Sequence, residues 1–346
     1  MDLRTLLAAL GACALLLVPV APARAATPDC CFLPAQAISE PIPAGDVRVI
    51  DNAGMPLVAR RARDGAIFTA GPLWEWPLTV RATFTWPYAQ WWAGDVDYDD
   101  DVDLLGRDGT RIVAALGDGA QGFSAPRFWA TLPRRFSVVR IGDLWGSDSD
   151  EADDLVALDP SSGELRWILS QWEYGPEYPR PIPHVEPPDV MGAGRWPRGV
   201  TFQLASVVFG QVDAIGVDPR TGRVRLAQEA DARGGLSRDE PSYRIPPHAT
   251  LAVGDVTGDG QGDLVYRPRG SDDVYVRRAY ESPPPTDVKR ISVHYRFHSA
   301  RRWGRWDRRL PLTLAYVFDV RQSLVARDPA TGRMLAARST SLLGAP

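Results

Sequence analysis

The chain has 346 residues, a formal net charge of −4 and 24% charged residues. That mildly acidic balance excludes a general nucleic-acid binder, which carries a basic excess. Lys289 is the only lysine, so nearly all positive charge is guanidinium.

In chain order, residues 1–25 read as a secretory signal peptide. Arg4 supplies the positive start, residues 6–20 an apolar run, and Ala23-Arg24-Ala25 a small-x-small cleavage site. Cleavage near Ala25 predicts a secreted chain, extracellular or periplasmic. Cys13 sits in the middle of the apolar run, where a lipoprotein site would not place it. No second stretch of about 20 apolar residues follows, so no membrane span is expected after cleavage. Cys30 and Cys31 are adjacent and have no histidine nearby, a poor metal site. A vicinal disulfide, a link to a partner and free thiols all remain open for them. Residues 26–45 form an N-terminal segment that could supply a ring-closing strand.

From residue 46 to 346 the chain is a repeat. Six short segments align, beginning at Pro56, Asp103, Asp154, Asp213, Asp263 and Ser323, with successive spacings of 47, 51, 59, 50 and 60 residues. Each is followed by a turn signal, most fully in Asp159-Pro160-Ser161-Ser162-Gly163, Asp218-Pro219-Arg220-Thr221-Gly222 and Asp328-Pro329-Ala330-Thr331-Gly332. Proline presets φ there, and glycine takes the positive φ that closes the loop. Short β-branched runs precede the anchors, and no window holds a 3.6-residue apolar period. The fold class is therefore all-β. A period near 50 residues fits one four-stranded propeller blade, which predicts a β-propeller of six blades, with seven as the alternative. The proline-rich stretches 174–188 and 283–285 cannot donate to a sheet ladder and read as insertions between strands.

Two of the loops before an anchor carry a ladder of oxygens. The first runs Gly94-Asp95-Val96-Asp97-Tyr98-Asp99-Asp100-Asp101-Val102-Asp103-Leu104, and the second Gly254-Asp255-Val256-Thr257-Gly258-Asp259-Gly260-Gln261-Gly262-Asp263-Leu264. Calcium takes six to eight oxygens at about 2.3–2.6 Å, and alternate residues of a tight loop point inward. Without a cation, such neighbouring carboxylates repel by roughly 1 kcal/mol per pair at 4 Å even in water.

In these motifs, with Gly122-Phe123-Ser124-Ala125-Pro126, the chain resembles the FG-GAP/VCBS repeat family of integrin-α-like and secreted bacterial propellers. The resemblance spans nearly the whole mature chain, strongly in two repeats. It implies Ca2+ held by Asp95, Asp97, Asp99 and Asp103 with the carbonyl of Asp101. In the later repeat it implies Asp255, Thr257, Asp259 and Asp263 with the carbonyl of Gln261. An EF-hand is excluded, because the positions where it needs glutamate are Gly106 and Tyr266. The loop from Asp143 to Asp154 also holds Asp148, Asp150 and Asp153, but is three residues longer and would bind only in an altered geometry. The loops before Asp213 and Ser323 have apolar residues at the ligand positions and are expected to be metal-free.

Catalytic signatures are scarce. The four histidines form no H-E-x-x-H pair, and no G-x-S-x-G elbow or P-loop is present. The expectation is a binding or adhesion module for a glycan or an extracellular protein. The alternative is an extracellular enzyme acting on polysaccharide. Trp74, Trp76, Trp86, Trp91 and Trp92 crowd one repeat junction, and exposed rings there would stack on sugars while buried ones would fill the space between blades. The segment Arg301, Arg302, Trp303, Arg305 and Trp306 is the candidate ligand surface, since arginine forks bind carboxylates and sulfates. The opposing reading is a solvated strand with its tryptophans turned inward.

Overall fold

A computed structural model describes residues 32–39, 41–42, 45–48, 58–70, 80–97, 99, 101–118, 122–142, 153–169, 189–208, 211–227, 230–231, 235–236, 243–282, 294–316 and 322–340. The leader, Cys30-Cys31, Trp74, Trp76, the acids Asp143, Asp148 and Asp150, and the insertions 174–188 and 283–285 lie outside the described residues. Among the described residues every helix or strand is a strand.

The strands form consecutive antiparallel sheets. The first holds Gly45–Arg48, Val58–Arg61, Ala66–Ala70 and Val80–Thr85, and the second Trp91–Gly94, Asp103–Asp108, Arg111–Ala115 and Arg127–Thr131. The third holds Ser137–Gly142, Asp154–Leu158, Glu164–Leu169 and Asp189–Arg195. The fourth has three strands, Gln203–Val208, Gln211–Val217 and Val224–Ala227, extended by a bridge between Arg223 and Arg244. The fifth holds Thr250–Gly254, Asp263–Arg267, Asp273–Arg277 and Arg301–Arg305, with the hairpin Ala279–Ser282/His294–Phe297 inserted before its last strand. The sixth combines Thr313–Tyr316, Gln322–Arg327 and Met334–Ala337 with Gln36–Ala37 from the other end of the chain. From the second sheet to the sixth, the first strand of each packs beside the first strand of the next. The molecule is a β-propeller.

The core lies between sheets. Val58, Ile67 and Trp86 of the first meet Trp91, Leu104 and Val113 of the second. Leu105, Ile112 and Trp129 of the second meet Leu155, Ala157 and Ile168 of the third. Ile215 and Leu226 meet Leu251 and Leu264 across the fourth and fifth, and Val265 and Val274 meet Leu324 and Ala326 across the fifth and sixth. A second strand is therefore covered on both faces. That is why Asp263–Arg267 is buried throughout and why the anchors read as short unbroken apolar runs rather than alternating ones.

A further contact repeats in each of these six sheets. After the outer strand, the N–H groups of Trp86, Leu132, Trp196, Ile245, Trp306 and Ile42 donate to the carbonyls of Gly65, Thr110, Gly163, Gly222, Asp272 and Gly332, at 2.7–2.9 Å. All six donor residues are buried. The turn glycines make this closure feasible. Gly222 sits at φ 68°, and a Cβ there would lie 1.9 Å from the Ile245 carbonyl oxygen. Four anchors place an arginine at the same offset to tie down the same returning segment. Arg60 donates to the Trp86 carbonyl, Arg107 to those of Pro133 and Phe136, Arg267 to those of Asp307 and Leu310, and Arg327 to that of Ile42.

Candidate metal centre

The two acidic loops join the first and second strands of the second and fifth sheets, at the same edge of the propeller. In the first loop, one carboxylate oxygen from each of Asp95, Asp97 and Asp99 can lie within 4.8 Å of the others. Asp95 and Asp97 are buried, and Asp99 is half-buried. The loop is held in shape by its own acids: the Asp95 carboxylate accepts the N–H groups of Asp97 and Asp99, and Asp99 accepts that of Asp101.

Asp103, taken from the resemblance as a fourth ligand of the same kind, is engaged differently. One oxygen accepts the Val96 N–H and the other the Gly117 N–H, each at 2.8 Å. It is fully buried, and it bolts the loop to the chain beyond the third strand. Asp263 does the same in the fifth sheet, accepting from Val256, Thr257 and Ala279.

The electrostatics follow from this crowding. Burial, then the charges of Asp99 and Asp95, push Asp97 up to about 7 against the pull of Arg127. Asp103 is raised well above the usual carboxylate range, chiefly by burial, while its two backbone donors oppose the shift. Burial likewise lifts Asp263 to about 7. A cation in the loop would favour the ionised forms that burial disfavours.

The donor set suits a hard cation. All groups are oxygens, and Oδ1 of Asp97 is buried with no hydrogen-bond partner among the described residues. Leaving such an acceptor unmet costs about 1–3 kcal/mol. Asp95, Asp97 and Asp99 would hold the ion, with Asp101 beside them in the same loop.

The second loop differs. Asp255 accepts N–H groups from Thr257, Gly258, Asp259 and Gly260, and Gln261 donates its own N–H to Asp259. The other oxygen of Asp259 pairs with Arg278 at 3.1 Å. Thr257 stands where the first loop has Asp97, so a guanidinium partly balances a site with one carboxylate fewer. Asp154 is buried at the start of its strand.

The Arg/Trp segment requires a correction. Trp303 and Trp306 are 1% and 2% exposed, packed with Phe32, Val274 and Leu310, so neither offers a ring face to a ligand. The outer strand Arg301–Arg305 sends its tryptophan inward, leaving Arg301, Arg302 and Arg305 exposed. Beyond it lies an open depression of about 540 Å³ lined by Asp272, Arg305, Trp306, Asp307, Arg308 and Arg309. Its charges answer one another, Arg305 pairing with Asp272 and Arg309 with Asp307. Trp86 and Trp91 are also buried between sheets.

Sequence reasoning missed Arg278 and Arg127 as counter-charges, because both lie outside the ladders they serve. It also missed the stapling arginines, although their common offset from the anchors was visible.

Comparison with known proteins bears on the fold. A chain of the Photorhabdus luminescens Tc holotoxin pore matches at 14% identity and a TM-score of 0.55, covering 88% of this chain. This chain spans only 14% of that toxin chain. An Agrocybe aegerita lectin, solved for its recognition of non-reducing terminal N-acetylglucosamine, matches at 11% identity and a TM-score of 0.52, over 85% of this chain and 80% of its own. A candidate phosphatase from Bacteroides thetaiotaomicron matches at 9% identity and a TM-score of 0.51, over 90% and 79%. No family model and no curated protein matches the chain. These likenesses establish a shared fold and nothing finer.

Proposed function

We propose that the chain is a secreted, calcium-stabilised β-propeller of six blades that acts as a binding module for a glycan or an extracellular protein. The observation that carries the metal part is the Asp95–Asp97–Asp99 cluster with the unmet buried oxygen of Asp97. The blade count rests on five four-stranded sheets and one three-stranded sheet among the described residues, each closed by the same contact behind its outer strand, with two two-stranded hairpins outside the count. Calcium serves as scaffold here, stiffening the loop edge from which a partner would be engaged. The FG-GAP/VCBS resemblance supports the same assignment.

Calorimetric titration of the chelated full chain with calcium tests the metal. Saturable binding is expected, with the first-loop site lost and the second-loop site kept in Asp97→Ala, and no heat at millimolar calcium overturns it. A glycan array with calcium present tests the partner class, and terminal N-acetylglucosamine is a first probe because of the lectin likeness. Retention of a glycan class supports that arm, whereas a blank array removes it and leaves the protein partner. Turnover of a polysaccharide by the purified chain would overturn the module reading in favour of an enzyme.

A further inference from the structure

Each acidic loop is joined to the next sheet by a contact that its cation ligands do not require. In the first loop the Asp95 N–H donates to Oδ2 of Asp153 at 2.9 Å, and the Asp153 N–H donates back to the Asp95 carbonyl at 2.5 Å. In the second loop the Gln322 N–H donates to the Asp255 carbonyl at 2.7 Å. Asp153 and Gln322 occupy equivalent places, each immediately before the anchor of the following sheet, at Asp154 and Ser323. Asp95 and Asp255 are likewise equivalent, each the first loop position.

The glycines of the two Gly-Asp pairs fit the same account. A Cβ on Gly94 would lie 2.4 Å from Oδ2 of Asp153, and one on Gly254 would lie 1.5 Å from Oε1 of Gln322. Neither glycine is among those with a positive φ, so a side chain there would be met by side chains of the neighbouring sheet, which would have to shift.

Alternation within the loop completes the arrangement. In the first loop positions 1, 3 and 5 bring their oxygens within 4.8 Å of one another, while position 2 of both loops faces the seam. Val96 is buried with Leu155, Ala157 and Ile168 of the third sheet, and Val256 with Leu324 and Ala326 of the sixth. Ser339 of the sixth sheet also donates its hydroxyl to the Val256 carbonyl. The loop thus has two faces, one for the ion and one for the neighbouring sheet, and a single backbone path serves both.

We infer that Asp153 and Gln322 are positioning residues that couple each ion loop to the adjacent sheet, so that cation binding closes the seams between the second and third and between the fifth and sixth sheets. The inference rests on the calcium reading above. Without the ion, mutual repulsion among the carboxylates loosens the loop, and the loosened loop withdraws both its valine and its first-position backbone from the seam.

Hydrogen exchange of the full chain, with calcium and with chelator, tests the coupling. Calcium should slow exchange about tenfold or more in segments 94–103 and 254–263 and also in 153–158 and 322–327, because local opening then costs more. Segment 66–70 of the first sheet, whose Ile67 packs at neither of those two seams, serves as the control. In Asp153→Ala, segment 153–158 should lose its calcium-dependent slowing and the first loop should bind calcium about tenfold more weakly. Segments 254–263 and 322–327 should keep theirs in that variant. Should the variant not fold, the wild-type pattern decides alone. Slowing confined to the loops, with 153–158 and 322–327 unchanged, overturns the coupling and leaves the calcium reading standing. No slowing in the loops, together with no calorimetric heat, overturns the calcium reading and the coupling with it.

Discussion

Replacing Asp97 by asparagine should change stability in opposite directions in the two metal states. Its carboxylate lies among those of Asp95 and Asp99, with ligand oxygens within 4.8 Å. At that range a pair of like charges costs roughly 1 kcal/mol in water and roughly 3–4 kcal/mol at the effective dielectric of a protein surface. Protonation of Asp97, raised to about 7, already relieves part of this at neutral pH. In chelator at pH 8 the Asp97→Asn chain should therefore be more stable than wild type by about 1–3 kcal/mol. With excess calcium the wild type gains RT ln(1 + [L]/Kd), about 2.7 kcal/mol at a hundredfold excess over Kd, and the variant loses most of that gain. Urea melts of both chains, with chelator and with calcium, measure all four values. Equal destabilisation of Asp97→Asn in both conditions would refute the reasoning, because it would make Asp97 an ordinary packing residue.

Further predictions follow from single contacts. Asp263, lifted to about 7 by burial, binds its proton more tightly in the folded chain than in the unfolded one. Its contribution is therefore full in acid and lost as pH rises from about 4 through 7, on the order of 4 kcal/mol at about 1.4 kcal/mol per unit. Urea midpoints of the chelated chain should fall between pH 5 and pH 8, and a flat or rising trend would count against the assignment. Gly222→Ala, at φ 68° with a carbonyl 1.9 Å from the new Cβ, should cost more than the roughly 1–3 kcal/mol of a strained backbone alone. Gly270→Ala, at φ 77° with open space around it, should stay within that range, and thermal melts of the two variants compare them. Arg267→Met removes two bonds from a buried guanidinium and leaves the Asp307 and Leu310 carbonyls without that donor, which should cost about 2–4 kcal/mol in a urea melt. Trp303→Ala should cost about 3–5 kcal/mol as a core truncation, whereas the exposed Arg305→Ala should stay within about 0.5 kcal/mol. Near-equal effects of these last two would contradict the inward placement of the indole.

The repeat was legible because each unit pairs an unbroken apolar run with a turn glycine, and both are consequences of strands buried on two faces. The first acidic loop was legible for a similar reason: alternate spacing is what brings oxygens of Asp95, Asp97 and Asp99 within 4.8 Å of one another. What the spacing could not separate was function within the ladder. Asp103 and Asp97 are the same residue type six positions apart, yet one is filled by backbone donors and the other holds an unmet oxygen. Only burial and the direction of neighbouring N–H groups distinguish them. Trp303 was ambiguous for a comparable reason, since an indole suits a sugar platform and an inter-sheet core equally well. The stapling arginines shared a visible offset from the anchors, but their role was hidden by chemistry: a guanidinium reads as surface charge, and nothing local shows its long stem reaching carbonyls under a returning chain.

The sixth sheet draws its outer strand from the far end of the sequence. Gln36–Ala37 pairs with Met334–Ala337, and the Ser39 hydroxyl receives the Met334 N–H across 295 residues. Phe32 reaches on to the fifth sheet, its N–H donating to the Trp303 carbonyl. During folding this segment has no partner until nearly the whole chain is available, and loop closure over such a span is slow. The last event in assembly would then be the docking of an early-made strand, and partly folded molecules would expose the open edges of the Met334–Ala337 and Arg301–Arg305 strands. Those edges are where a second chain could donate its own early strand by exchange. A short peptide covering residues 32–42, supplied in excess during refolding, should compete for that place and cap the ring.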